Sequence, residues 1–126
     1  MPDSLGKLVA RELRGRRVVL AVSGGRDSMS LLHAAAAHAR ASIACVASFD
    51  HGTGAHATDA LALVRRVAAE LDIEMIGARA SFQGRTEAEW RAQRWSFLRT
   101  VAGERGAQVA TAHTRDDQLE TVLMRV

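Results

Sequence analysis

Five apolar residues, Val18-Val19-Leu20-Ala21-Val22, run straight into Ser23-Gly24-Gly25-Arg26-Asp27-Ser28, and a leucine- and alanine-rich stretch follows. A β-branched run, two glycines at a bend and a helix opening on Asp27 and Ser28 read as strand, tight corner and helix. The N–H groups at a helix start have no intrahelical acceptor and carry a partial positive charge. A phosphate is therefore stabilised there, and Gly24 and Gly25 have no Cβ to hold it away. Turn geometry and capping alone would also account for Ser, Gly and Asp at such a corner. A Walker loop is excluded, because it ends in Gly-Lys-Ser/Thr and the only lysine, Lys7, lies upstream of the strand.

The hydrophobic spacing predicts helices over 3–14, 29–40, 59–71 and 86–104 and strands over 18–22, 42–49, 73–77 and 108–112, with a last helix running from 114 to the end. Strands alternating with helices pair in parallel through right-handed crossovers, so the expected fold is an α/β sandwich with helices on both faces of a parallel sheet. Ligands in such sheets gather at the carboxyl ends of the strands. The loops after Val22, Phe49 and Ala112 all emerge at that edge.

With 126 residues, 48% of them hydrophobic, the chain can form one domain and no more. Its net charge of +3 is compatible with nucleic acid and equally with a solvated arginine-rich surface. A single cysteine, Cys45, rules out an internal disulfide and any cysteine-built zinc or iron-sulfur site. It falls in an apolar run, where a buried, inert thiol is expected. No stretch has the roughly 18 apolar residues of a membrane span, and Met1-Pro2-Asp3-Ser4 does not open a signal peptide, so a cytoplasmic location is expected.

A second constellation is His113-Thr114-Arg115-Asp116-Asp117-Gln118-Leu119-Glu120-Thr121. On a helix starting near Thr114, Asp116, Asp117 and Glu120 share one broad face. Three acids there suit Mg²⁺ or the ammonium of an amine substrate. A capping pair of Thr114 with Asp117, complementing the helix dipole, would use the same residues. His113 just ahead of them is a candidate acid-base group or phosphate donor.

The corner sequence Ser-Gly-Gly-x-Asp-Ser resembles the PP-motif of the ATP pyrophosphatases, which split ATP between its α- and β-phosphates. The spacing of His113, Asp116, Asp117, Gln118, Glu120 and Thr121 is similar to the His-x-x-Asp-Asp-Gln-x-Glu-Thr signature of one PP-loop family, the tRNA(Ile)-lysidine synthetases. Phe49-Asp50-His51-Gly52 resembles that family's Val-Asp-His-Gly loop, and the stretch from Glu87 to Trp95 its Glu-Ala-x-x-Arg-x-x-Arg-aromatic helix. Two departures stand out. Thr53-Gly54 replaces the usual Leu-Arg, and the family's catalytic domain and tRNA-binding parts continue well beyond the matched region.

The resemblance implies an enzyme that adenylates C2 of the wobble cytidine in an isoleucine tRNA anticodon loop and then replaces AMP with the side-chain amine of L-lysine. It implies ATP and Mg²⁺ as cofactors and, for this chain, the nucleotide-binding front part. The residues from Ser23 to Ser28, with Asp50 and His51, would bind ATP. Asp27 and Asp117 would hold metal, and Asp117 and Glu120 the metal or the lysine ammonium. His113 and Arg91 would steady phosphate charge, Arg94 offering a second guanidinium three residues on. A related tRNA thiolase is the first alternative, although the two-thiocytidine type needs paired cysteines. A nucleotide-binding module without chemistry is the second.

Overall fold

The computed structural model describes residues 2–50, 55–80, 86–115 and 118–124. Helix α1 (Pro2–Leu13) leads into strand β1 (Val18–Ala21), helix α2 (Arg26–His38) and strand β2 (Ile43–Asp50). Helix α3 (Ala55–Glu70), strand β3 (Met75–Arg79), helix α4 (Glu87–Arg105) and strands β4 (Gln108–Arg115) and β5 (Gln118–Met124) complete the order. The sheet order is β3-β2-β1-β4-β5, with the first four strands parallel and β5 antiparallel to β4.

This order explains the layering. The chain steps from β1 outward to β2 and β3, then returns past β1 to add β4 on its other side. Right-handed crossovers that run in opposite directions place their helices on opposite faces. Accordingly α2 and α3, with α1 beside them, cover one face, and Val9, Leu13, Leu31, Leu32, Val64 and Val67 pack there on Val18, Leu20 and Val46. On the other face α4 sets Leu98, Val101 and Ala102 against Val19, Ala21, Cys45, Ala47 and Val109. The central strand is therefore buried on both sides, which is why it reads as an unbroken apolar run.

The ends of the elements are fixed locally. Thr86 caps α4 by accepting the Glu89 N–H at 3.2 Å. Gly106, at φ 58°, ends the helix in the left-handed region, and the Ala107 N–H reaches back to the Ala102 carbonyl at 2.9 Å, the geometry of a Schellman stop. Ser42, buried after a 3-10 turn, donates to the Leu13 carbonyl at 2.7 Å and so ties α1 to the start of β2.

One expectation is overturned. The described residues after 113 are not helical: β4 runs on to Arg115, and Gln118–Met124 returns as an antiparallel strand. The segment is too short for periodicity to separate helix from strand, and Thr121, Val122 and Leu123 suit either. Pairing decides it, since β4 would otherwise present a row of open backbone groups along its outer edge. Thr114 and Glu120 therefore stand in strands and not on the expected helix, while Asp116 and Asp117 lie outside the described residues.

Cys45 is fully buried, and burial raises its thiol pKa, with Glu74 adding to that and Arg105 and Arg17 opposing it. The folded state thus holds the thiol proton more tightly than the unfolded chain does. Stability should decline as pH rises above the free-thiol range of about 8.5. Denaturant midpoints measured between about pH 7.5 and 9.5 are expected to fall, and Cys45→Ala to remove most of that slope.

Candidate functional site

The corner after β1 is built by its own hydrogen bonds. Gly25 donates its N–H to Ser23 Oγ at 3.2 Å, and Ser28 Oγ donates to the Gly25 carbonyl at 3.1 Å. The Ser23 N–H and the Ser23 hydroxyl both lie 3.1 Å from Ser28 Oγ. Only one assignment uses each proton once, with Ser23 Oγ donating to Ser28 Oγ, which accepts two bonds and gives one. Both hydroxyl protons are then committed to holding the loop. What a ligand would meet is backbone: the first turn of α2 lies ahead of the first intrahelical bond, from Met29 N–H to the Gly25 carbonyl at 2.9 Å.

Gly24 is required on two counts. Its φ is +90°, and a Cβ there would stand 2.9 Å from the Ala60 carbonyl oxygen of α3. The corner is thereby pressed against α3, with Gly25 as the N-cap of α2 and no side chain capping in its place.

Two clefts open at this edge. The larger, about 490 Å³, lies between the corner and α3, walled by Ala47, Phe49, Ala60, Leu63 and Leu98. Phe49 is braced from behind by Phe97 of α4, with ring centroids 5.8 Å apart. The second, about 400 Å³, lies on the β4 side and includes Arg26, Asp27, Ser28, Thr111 and Ala112. Arg94 lines both. It is half-buried, burial lowers its pKa, and among the described residues it has no carboxylate partner. A desolvated guanidinium beside the first turn of a helix is an arrangement that suits an anion.

The sequence-derived candidates are distributed unevenly. Ser23, Gly24, Gly25, Arg26, Asp27 and Ser28 are all at the clefts. Arg91 is not. It is exposed, pairs with Glu87 at 3.4 Å and lines a different cleft that it shares with Arg94. Asp50 lines neither corner cleft, because its buried carboxylate accepts from Arg79 Nε and Thr58 Oγ1, each at 3.2 Å. There it fastens β2 to β3 and α3. His113 and Glu120 face each other in the β4–β5 register, two residues past the last β1–β4 pair of Ala21 and Thr111. They stand at the same carboxyl edge of the sheet as the glycine corner. His51, Asp116 and Asp117 lie outside the described residues. Phe49 carries no signal beyond its place in the strand, whereas Arg94 could be ranked above Arg91 from its position one turn closer to buried Leu98.

A family model described as a PP-loop domain matches residues 2–126, and the chain belongs to that family. It is 42% identical over 117 residues to a tRNA(Ile)-lysidine synthase of Rhodopseudomonas palustris, covering 86% of this chain and 34% of the relative. A tRNA(Ile)-lysidine synthase of Bdellovibrio bacteriovorus is 33% identical over 118 residues, covering 90% and 37% respectively. The chain thus spans about a third of the length of the curated relatives it matches. Among solved structures, a U34-tRNA thiolase of Methanococcus maripaludis superposes with a TM-score of 0.74 at 16% identity, over 91% of this chain and 45% of that one. An NH3-dependent NAD synthetase of Campylobacter jejuni gives 0.64 at 14% identity, over 86% and 53%. At those identities the likeness is one of fold.

Gly24→Ala tests the corner directly. Strain at positive φ together with the clash against Ala60 should cost about 1–3 kcal/mol, measured as a lowered denaturant midpoint, while Gly15→Ala, with open space around it, should lose less.

Proposed function

We propose that these residues are the nucleotide-binding front part of a tRNA(Ile)-lysidine synthase, a ligase that uses ATP to join L-lysine to the wobble cytidine of an isoleucine tRNA. The observation that carries this reading is the corner itself: the glycine bend and the first turn of α2 line one cleft with the half-buried Arg94 at the carboxyl edge of β1 and β4. The relatives supply the direction. Such an edge suits a triphosphate, and the apolar cleft beside Phe49 and Leu63 suits the flat, weakly polar part of a nucleoside.

In this reading the cytidine oxygen at C2 attacks the α-phosphorus of ATP and pyrophosphate leaves. The lysine amine then adds at C2 and expels AMP. The corner residues hold the leaving pyrophosphate, and Arg94 neutralises charge growing on the phosphate oxygens, an electrostatic contribution strengthened by its partial burial. Arg91 can swing from its exposed pair with Glu87 to an RNA phosphate. His113 and Glu120, together with Asp117, would serve the incoming amine. An extruded, single-stranded base fits an anticodon loop.

Among the described residues no three His, Cys, Asp or Glu side chains gather into a metal cage. Asp27 stands exposed in the first turn of α2. One carboxylate beside a polyphosphate fits Mg²⁺, which takes one or two carboxylates along with phosphate oxygens and retained waters. Asp27 would hold it, with Asp117 as the second carboxylate, and the charge it supplies would offset that of the β- and γ-phosphates.

Calorimetric titration of ATP with Mg²⁺ into the chain should show binding that Asp27→Ala and Arg94→Ala each weaken at least about tenfold, the scale of one lost charge-assisted contact. In the full-length protein, isoleucine tRNA incubated with ATP and lysine should gain lysidine, read by nucleoside mass spectrometry, and Asp27→Ala should abolish the gain. Unmodified tRNA in the presence of normal ATP binding would overturn the reading.

A further inference from the structure

A third cleft, about 480 Å³, lies over the first turns of α4 and is lined by Glu87, Trp90, Arg91 and Arg94. It is not a separate hollow. Arg94 lines it as well as both corner clefts, so the two regions share one side chain among the described residues. The contents are also unlike those of the corner: a half-buried indole, two arginines and one exposed carboxylate.

The other tryptophan shows the contrast. Trp95 packs against the core on the inner side of α4, with the Arg99 guanidinium 6.0 Å from its ring centroid. Trp90 sits more than a turn nearer the carboxyl edge of the sheet and walls a cleft. It also occupies one of the variable positions of the Glu-Ala-x-x-Arg pattern, between Glu87 and Arg91, so no family role attaches to it. Beside it, Arg91 is held only by an i,i+4 pair in which both side chains are largely solvated, at 73% and 83% exposure. So exposed a pair contributes little and gives way readily to a phosphate.

We propose that this cleft is a docking site for one unpaired nucleotide of the RNA substrate, adjoining the nucleotide that reacts at the corner. The nucleotide's base stacks on Trp90 and its phosphate is gripped by Arg91. The inference rests on the reading of the chain as part of a tRNA-modifying ligase. An aromatic face with flanking guanidinium groups is the combination by which proteins hold single-stranded RNA without reading its sequence, since every base has a π-face and every linkage a negative charge. Adjacency follows from Arg94. A cation shared between the corner and the Trp90 cleft can bridge the ATP phosphates and the RNA backbone, which fixes the spacing between the reacting base and its neighbour.

The test uses an anticodon stem-loop oligoribonucleotide as probe. With Trp95→Phe as background, Trp90 is the only emitter in the chain, and the stem-loop should quench it. Trp90→Ala should weaken stem-loop binding roughly ten- to a hundredfold, as expected for loss of one stacked base. Trp90→Phe, which keeps a ring, should recover most of that loss, and ATP affinity should hold in both variants and thereby report an intact fold. Unchanged RNA affinity in Trp90→Ala would overturn the proposal. So would a loss of ATP affinity in its place, which would put adenine at Trp90. Failure of the full-length protein to make lysidine would sink the ligase reading, whereas the stem-loop titrations judge Trp90 on their own.

Discussion

Strand β1 and the residue after it have Val18, Leu20 and Val22 turned to one face of the sheet and Val19 and Ala21 to the other, all at 3% exposure or less. A strand so placed needs parallel neighbours on both edges and helices over both faces, because any backbone group or side chain left open would be a buried polar group or an exposed apolar one. The chain meets both demands by reversing direction after β3. That reversal sends α4 to the face opposite α2 and α3, and opens a crevice where strands on either side of β1 lead away in opposite senses. The site is thus a consequence of burying β1, and its position follows from topology before any polar residue is considered.

What the corner does with its polar residues is set by proton counting. Ser23 and Ser28 resemble ligand-binding hydroxyls, yet both their protons are spent inside the loop. The serines make the corner rigid and leave recognition to backbone N–H groups, which cannot swing away or change charge. Gly24 completes the arrangement by letting α3 approach within van der Waals distance of the bend. A preorganised donor set of this kind loses little entropy when an anion arrives. The long guanidinium arm at the corner, Arg94, is half-buried on α4, so both it and the bend are held by elements that the core already fixes.

Much of this is legible in the sequence, and the places where it is not are instructive. Strand-helix alternation predicts four parallel strands and helices on both faces, because apolar spacing reports burial directly. The corner is readable because two adjacent glycines between a strand and a helix start mark a backbone that must bend tightly or be approached closely. The last segment is where periodicity misleads: six or seven residues fit a helix face or a strand equally well, and the deciding factor, the open edge of β4, is a tertiary one. Asp50 looks like a ligand group from its motif, whereas its carboxylate is engaged by Arg79 and Thr58, partners 29 and 8 residues away that no local pattern pairs with it. Arg91 and Arg94 are of one type on one helix, and what separates them is that Arg91 is exposed and lines a single cleft while Arg94 is half-buried and lines three.

The corner also limits what this part of the protein can discriminate. Backbone donors and a guanidinium recognise charge and shape at a phosphate and are indifferent to the base attached to it. Any selection of a base would then come from the walls of the neighbouring apolar cleft, where Phe49, Leu63 and Leu98 present hydrophobic surface. Under the proposed function the ring and the arginines of α4 would be equally tolerant of sequence. Choosing one tRNA among many requires base-edge contacts that these elements do not supply. The matched region is about a third of the relatives' length, and under the proposed function that discrimination would fall to the other two thirds.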